Sequence, residues 1–325
     1  MRIQETDRLT IDVVPEDPDR ILAEIRAGLQ KQPREVSPRF FYDDAGSHLF
    51  EEITRLPEYY QTRTEGWILE EKAHEIIKRA GARELIELGS GAATKTRVLL
   101  NAMNDLGTLE RYVPFDVSEG IVRRVAGELL EEYPGLSVHA VVGDFTQHQE
   151  GIPRGNHQLC IFLGGTIGNF KPDKAARFLS EVADGLEPGD HFLLGTDLIK
   201  DVAVIEAAYN DSPGITARFN KNALLVLSQM LDGDFDPDGF DHQAPYNIDE
   251  HRIEMWLRSK RDQTVSLPGI DLELAIRQGE EILTEISTKF DRGMVSAMLD
   301  EAGFDMVEFY TDPGDLFALT LARKR

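Results

Sequence analysis

Four stretches of this 325-residue chain end on acids or glycines whose types could hold a nucleoside: Glu87-Leu-Gly-Ser-Gly91, Asp116, Asp144-Phe145, and Gly164 to Asn169. A Gly-x-Gly turn lets a ligand approach the backbone, because glycine has no Cβ and tolerates unusual dihedrals. Asp116 lies 27 residues beyond Gly89, near the spacing at which an acid meets ribose hydroxyls in nucleotide-binding folds. Asp144 offers an acceptor to an adenine amino group, and Phe145 a ring to pack on the base. The dinucleotide fingerprint asks for a third small residue where Thr94 stands, so the turn alone also fits a tight strand-to-helix connection.

These residues need elements that bring them to one edge. From Arg83 to Asp197, apolar strands alternate with helical stretches: strands at Glu84–Leu88, Arg111–Asp116, Ser137–Gly143, Gln158–Gly164 and Asp190–Asp197, with amphipathic helices such as Gly120–Glu132 and Lys174–Leu186. Such alternation implies a parallel sheet covered on both faces, with ligands at the carboxyl ends of its strands. A helix over Arg292–Ala302 precedes two strand-like runs, Phe304–Thr311 and Leu316–Ala322, joined by Asp312-Pro-Gly-Asp315, which reads as a hairpin.

The expected fold class is therefore α/β: a doubly wound, Rossmann-like core over residues 61–199 and 290–325 with an antiparallel C-terminal hairpin. Residues 1–60 and 200–289 do not continue the alternation and are expected to form one discontinuous substrate-binding domain. Thr62-Arg-Thr-Glu65 has the capping-box pattern and predicts a helix start, with Thr62 as N-cap and Glu65 reaching back.

Composition narrows the function. A net charge of −23 argues against a nucleic-acid partner, since phosphate binding rests on clustered Lys and Arg, and a small-molecule substrate fits better. The one cysteine, Cys160, sits in the apolar run Leu159-Cys-Ile-Phe-Leu163 and reads as a buried structural thiol. No signal-peptide core precedes Asp19 and no apolar run approaches membrane-spanning length. A cytoplasmic monomer without a membrane partner is expected.

With these residues in place, the chain resembles the class I methyltransferases that use S-adenosylmethionine. It resembles more closely the histidine Nα-methyltransferases of ergothioneine biosynthesis, through Arg39-Phe-Phe-Tyr-Asp43, Leu56-Pro-Glu-Tyr-Tyr-Gln-Thr-Arg-Thr-Glu65, Glu87-Leu-Gly-Ser-Gly91, Phe162-Leu-Gly-Gly-Thr-Ile-Gly-Asn169, Gly195-Thr-Asp-Leu198, Arg252-Ile-Glu-Met-Trp-Leu257 and Leu283-Thr-Glu-Ile-Ser287. The resemblance implies that Tyr42, Gly89, Lys95, Asp116, Asp144 and Phe145 surround S-adenosylmethionine. It further implies that Tyr59, Asn169 and Tyr209 hold the amino-acid backbone, that Glu285 and Ser287 meet the imidazole, and that Met255 lines that pocket. Tyr42 and Tyr59 are the expected catalytic hydroxyls, and the product is expected to be N,N,N-trimethylhistidine (hercynine), the first step of the pathway.

Residue chemistry suits that implication. Methyl transfer from a sulfonium needs an in-line neutral amine and an exit for its proton, and tyrosine hydroxyls can accept from an ammonium. Glu285 and Ser287 are two apart in a strand-like run and project from one face, where a carboxylate and a hydroxyl could read both nitrogens of the ring. A solvent-facing polar strand is the plainer reading of that pattern. Two rival functions stay open: methylation of another amino acid such as tryptophan, whose indole would not need the Glu285–Ser287 pair, and a non-catalytic cofactor-binding module. Asp234-Phe-Asp-Pro-Asp-Gly239 matches half an EF-hand loop, but position twelve is Pro245 rather than Glu, and the histidines lack zinc-site spacing, so no metal is expected.

Overall fold

The computed structural model describes residues 2–147 and 152–325. The chain divides into two units, one comprising Met1–Glu16, Arg63–Leu198 and Phe290–Arg325, the other Asp17–Thr62 and Ile199–Lys289.

The first unit is built on a nine-stranded sheet. From one edge to the other its strands run Arg2–Thr6, Leu9–Val13, Ser137–Val142, Arg111–Asp116, Glu84–Leu88, Gln158–Phe162, His191–Asp197, Phe317–Lys324 and Phe304–Thr311. The six strands from Leu9–Val13 to His191–Asp197 pair in parallel, and both edges finish antiparallel. Period-two alternation divides the buried side chains between the faces. Leu85, Tyr112, Leu159 and Leu193 pack under Ile76 of Gln61–Ala80, Leu99 of Thr96–Asp105 and Val125 of Glu119–Glu132. Ile86, Val113, Cys160 and Phe192 pack under Phe178 of Pro172–Gly185 and Val295 of Arg292–Glu301. Glu84–Leu88 has its sequence successor on one side and Gln158–Phe162 on the other, so the chain reverses direction across the sheet at this strand. The crevice beyond the carboxyl ends of such neighbours is where open α/β sheets bind ligands.

The expected alternation and C-terminal hairpin are both present, with one correction to the domain boundaries. Leu9–Val13 joins the main sheet in parallel beside Ser137–Val142, and Ile11 is fully buried there. The first sixteen residues therefore belong to the core unit and not to the discontinuous one. Five-residue strands that bury one face only give a weak pattern, and the helix that follows, Pro18–Leu29, belongs to the other unit, which is why alternation did not signal them.

The second unit carries a five-stranded sheet in which Arg252–Ser259 pairs antiparallel with Glu281–Thr288, Phe240–Gln243 and Tyr246–Asn247, while Arg34–Glu35 adds in parallel to Glu281–Thr288. The helix Ile215–Leu231 buries Phe219, Leu224, Leu227 and Leu231. Asp44–Thr54 is capped by Asp43, whose carboxylate accepts from the Gly46 N–H at 2.7 Å and from Asn222 Nδ2 at 2.7 Å. Asp236, in the acidic stretch that half-matched a calcium loop, accepts from the Asp238 N–H and pairs with Arg261 at 2.6 Å.

Candidate active site

In the first unit, the turn after Glu84–Leu88 puts Gly89 at φ +77°, Gly91 at +46° and Ala93 at +52°. A Cβ on Gly91 would meet nothing within 4 Å, whereas one on Gly89 would lie 3.3 Å from the Phe145 ring. Asp116 steadies this turn. One carboxylate oxygen accepts from the Gly91 N–H at 2.9 Å and the other from the Ser118 N–H at 3.0 Å, and the side chain stays half-buried. Behind the turn, Glu87 is buried on the face it shares with Leu85, where it accepts from Thr96 Oγ1 and the Tyr112 hydroxyl. Burial raises the Glu87 carboxyl to about 7 against the pull of those two hydroxyls and of Lys95, and burial beside Glu87 pushes the Tyr112 hydroxyl well above the usual phenol range.

Asp144 and Phe145 stand at the end of the adjoining strand as expected. Asp144 is the pivot of an Asx turn, accepting from Thr146 N–H at 2.9 Å, Thr146 Oγ1 at 2.7 Å and Gln147 Nε2 at 2.5 Å. A base amino group would therefore share that carboxylate with, or displace, Gln147. Phe145 packs edge-on against Phe115, Phe162 and Phe178.

The Lys95 ammonium is ion-paired with Glu65, whose other oxygen accepts from the Gly164 N–H at 2.7 Å. Glu65 is fully buried, so the capping box does not form. The helix begins at Gln61, and the acid reaches into the sheet rather than back to the helix start. Gly195 makes room for it, since a Cβ there would sit 2.5 Å from the Glu65 oxygen. Asn169 closes a short 3-10 turn, Thr166–Asn169, and Lys171 rather than Asn169 is the N-cap of Pro172–Gly185.

These residues fit S-adenosylmethionine. Open backbone at Gly91 and an acid at the next strand's end suit a ribose, and the buried Ser90 hydroxyl has no hydrogen-bond partner among the described residues.

In the second unit, the antiparallel register sets Met255 directly opposite Glu285, and Ile253 opposite Ser287. Met255, Glu285 and Ser287 are buried, and Tyr209, at the end of Val202–Tyr209, is buried beside them. The Tyr209 hydroxyl donates to Ser287 Oγ at 2.8 Å. Its carbonyl is held by His242 Nε2 at 2.8 Å, while His242 Nδ1 faces Asn220 Nδ2 at 2.8 Å. An amide donor on Nδ1 fixes the neutral imidazole with its proton on Nε2, and burial lowers the His242 pKa in the same sense. Glu285 makes no hydrogen bond to a described residue. Burial raises its carboxyl to about 7, with Lys289 pulling the other way.

Tyr42 belongs to the same group. Its ring meets Phe50 and Phe219 edge-on at 5.7 and 5.5 Å, and Tyr59 stacks edge-on to Phe50 at 6.2 Å. Enclosure by the chain, then the charge of Glu285 and Tyr209, raises the Tyr42 hydroxyl above the usual phenol range. Yet 49% of the residue remains accessible, so water screens part of that effect. Raised in this way, the hydroxyl keeps its proton at neutral pH.

Sequence reasoning missed Glu65 and Lys289. Lys289 is fully buried, and its ammonium donates to Ser287 Oγ at 2.8 Å and Tyr209 Oη at 3.0 Å. The signal was available, because Glu285, Ser287 and Lys289 continue one period-two face. Glu65 carried no such signal, because its partner Gly164 is 99 positions away.

Comparison with known proteins adds the chemistry. The family model described as "Histidine-specific methyltransferase, SAM-dependent" matches residues 21–324. The histidine N-alpha-methyltransferase of Mycolicibacterium smegmatis is 50% identical over 92% of this chain and 93% of its own length. That of Mycobacterium tuberculosis is 46% identical over 93% and 94%. Ergothioneine biosynthesis protein 1 of Neurospora crassa is 31% identical over 90% of this chain, which corresponds to 34% of that longer protein.

Proposed function

Because the chain belongs to the histidine-specific, S-adenosylmethionine-dependent methyltransferases, we propose that it methylates the α-amino group of L-histidine three times, yielding N,N,N-trimethylhistidine and opening ergothioneine biosynthesis. The observation that carries the substrate is Glu285: a buried carboxylate with no hydrogen bond to a described residue, two positions from a buried hydroxyl on the same strand face. Burial disfavours its charge, raising the carboxyl to about 7, and an imidazole N–H would satisfy it. An indole would offer one N–H and leave Ser287 without a nitrogen, so methylation of tryptophan is the weaker reading.

S-adenosylmethionine, when bound, supplies an electrophilic methyl on a sulfonium. The chain's residues position the acceptor. In each round the amine lone pair forms the new N–C bond as the C–S bond breaks, its pair staying on sulfur, and before each of the three rounds a proton must leave the nitrogen. Tyr59, Asn169 and Tyr209 are the proposed holders of the amino acid's backbone, and the Tyr42 and Tyr59 hydroxyls the proposed hydrogen-bond partners of the amine. Gly89, Asp116, Asp144 and Phe145 are proposed for the methyl donor, with Lys95 acting through its pair with Glu65. Orientation of this kind supplies much of the rate of a bimolecular transfer. A cytoplasmic location is part of the same reading, supported by a single cysteine whose thiol burial pushes up.

The test is mass spectrometry after incubation with S-adenosylmethionine and a mixture of amino acids. Trimethylation of the histidine α-nitrogen is expected. A product methylated only on the ring, or on another amino acid, would refute the assignment.

A further inference from the structure

We propose that Glu65 is a positioning residue for the methyl donor, which fixes the Lys95 ammonium at the carboxyl edge of the sheet and cancels its charge, so that the site admits a sulfonium. This rests on the placement of Lys95 at the donor site proposed above. It goes beyond that placement by giving the pair a part in telling S-adenosylmethionine from its thioether product, S-adenosylhomocysteine.

Glu65 lies where three neighbouring strands end. One oxygen accepts at 2.7 Å from the N–H of Gly164, two residues past Gln158–Phe162, and a Cβ on Gly195 of His191–Asp197 would sit 2.5 Å from that same oxygen. The other oxygen takes the ammonium of Lys95, which follows the glycine turn after Glu84–Leu88. Gln158–Phe162 pairs with both of the other strands, so a single carboxylate joins this edge together. Glu65 has no exposure of its own and depends on those two donors, since a buried charge stripped of its partner is strongly destabilising.

Lys95 stands where a cation is disfavoured. It is the N-cap residue of Thr96–Asp105, and a helix start carries partial positive charge that favours anions. An uncompensated ammonium there would draw the donor's carboxylate but oppose the positive sulfur of the same molecule. Glu65 removes that opposition. Glu87 also feels Lys95, yet burial raises its carboxyl to about 7 and its oxygens go to Thr96 and Tyr112. Lys95 keeps 30% of its side chain exposed, and among the described residues Glu65 is the one hydrogen-bond partner of its ammonium. An ammonium has three N–H groups, which leaves two for the donor's carboxylate while the pair as a whole stays neutral.

S-adenosylmethionine and S-adenosylhomocysteine differ by the methyl group and its charge, and calorimetry of the full chain with each gives their affinity ratio. Glu65→Gln offers one acceptor oxygen to two donors and leaves Lys95 unpaired. Two unit charges about 10 Å apart, at an effective dielectric of about 20, shift an equilibrium by roughly tenfold. With screening at a partly exposed ammonium, S-adenosylmethionine should lose about three- to tenfold more affinity than S-adenosylhomocysteine. Glu65→Gln combined with Lys95→Met carries neither charge and should return the ratio to within about threefold of wild type, although both ligands bind more weakly. A purely structural tie moves both affinities together, so a Glu65→Gln protein with the wild-type ratio overturns the proposal. Where that variant fails to fold, the double variant decides: a ratio more than about threefold from wild type would show that the pair did not act as a neutral unit. Wild-type protein that binds neither ligand would instead remove the donor site on which this inference stands.

Discussion

Gly46 stands so close to Phe41 that a Cβ on the glycine would lie 1.6 Å from the Phe41 carbonyl oxygen, and 2.8 Å from Asn222 Nδ2. That contact folds the start of Asp44–Thr54 back against the segment carrying Tyr42. Backbone cannot yield as a flexible side chain can, so Gly46→Ala should cost at least about 1–3 kcal/mol. It should also raise KM for histidine by displacing Tyr42. Urea unfolding and steady-state kinetics check both, and an unperturbed KM would separate Tyr42 from substrate binding.

Glu285→Gln keeps the shape of the side chain and removes the charged acceptor. Histidine binding should weaken by roughly ten- to hundredfold, the range for a hydrogen bond to a charged group, while S-adenosylhomocysteine binds as before. Calorimetry with each ligand separates the two effects. Unchanged histidine affinity would remove Glu285 from the pocket.

The same carboxyl predicts a pH limb. With burial raising it to about 7, the accepting form is lost as pH falls through that value. Histidine affinity should then drop by up to about tenfold per pH unit. Glu285→Gln should lack this limb, and its persistence in the variant would assign it to another group.

Glu87 gives a stability signature of opposite sign to an ordinary ion-paired acid. Burial raises its carboxyl in the folded chain to about 7, above the usual 4.5, so between those values the folded chain holds a proton that the unfolded chain has released. The protonated acid is tolerated at low pH, and stability falls as pH rises through 7, by about 3 kcal/mol for such a shift. Glu87→Gln never ionises. Its stability relative to wild type should therefore improve between about pH 5 and about pH 8 by up to that amount, as read by chemical denaturation. A difference independent of pH would mean that the carboxyl is charged throughout.

At the glycine turn, Gly89→Ala places a Cβ at φ +77° and 3.3 Å from the Phe145 ring. A left-handed alanine costs about 1–2 kcal/mol, and the turn relaxes by moving backbone that the methyl donor is proposed to touch. Weaker S-adenosylhomocysteine binding with histidine affinity intact is the expected pattern. Equal loss of both would point to general unfolding.

Much of this was legible in the residues because it is periodic. The expected run at Phe304–Thr311 is the observed strand, and helix boundaries at Glu119–Glu132 and Arg292–Glu301 fall within a residue of expectation, since apolar spacing reports burial directly. Gln158–Phe162 ends two residues early, because Gly164 and Gly165 turn the chain at positive φ. Polar partnerships were not legible where they depend on distant pairing. Glu65 looked like a local cap and proved to be the counter-charge of Lys95. Glu285 and Ser287 were readable as a pair because two positions on a strand share a face whatever the tertiary fold.

The sheet order carries a consequence for how the chain comes into being. His191–Asp197, buried along its whole length, pairs on its outer side with Phe317–Lys324, a segment synthesised more than a hundred residues later. Throughout that interval the nascent sheet presents an open edge that carries Phe192, Leu193 and Leu194, the kind that templates association between chains. The last strand acts as the seal. Deleting the residues after Leu316 should leave a protein that still contains the residues proposed to bind S-adenosylmethionine and histidine, yet partitions into the insoluble fraction on expression. Recovery of that truncated chain as a soluble species would show that the edge is guarded by something other than its final strand.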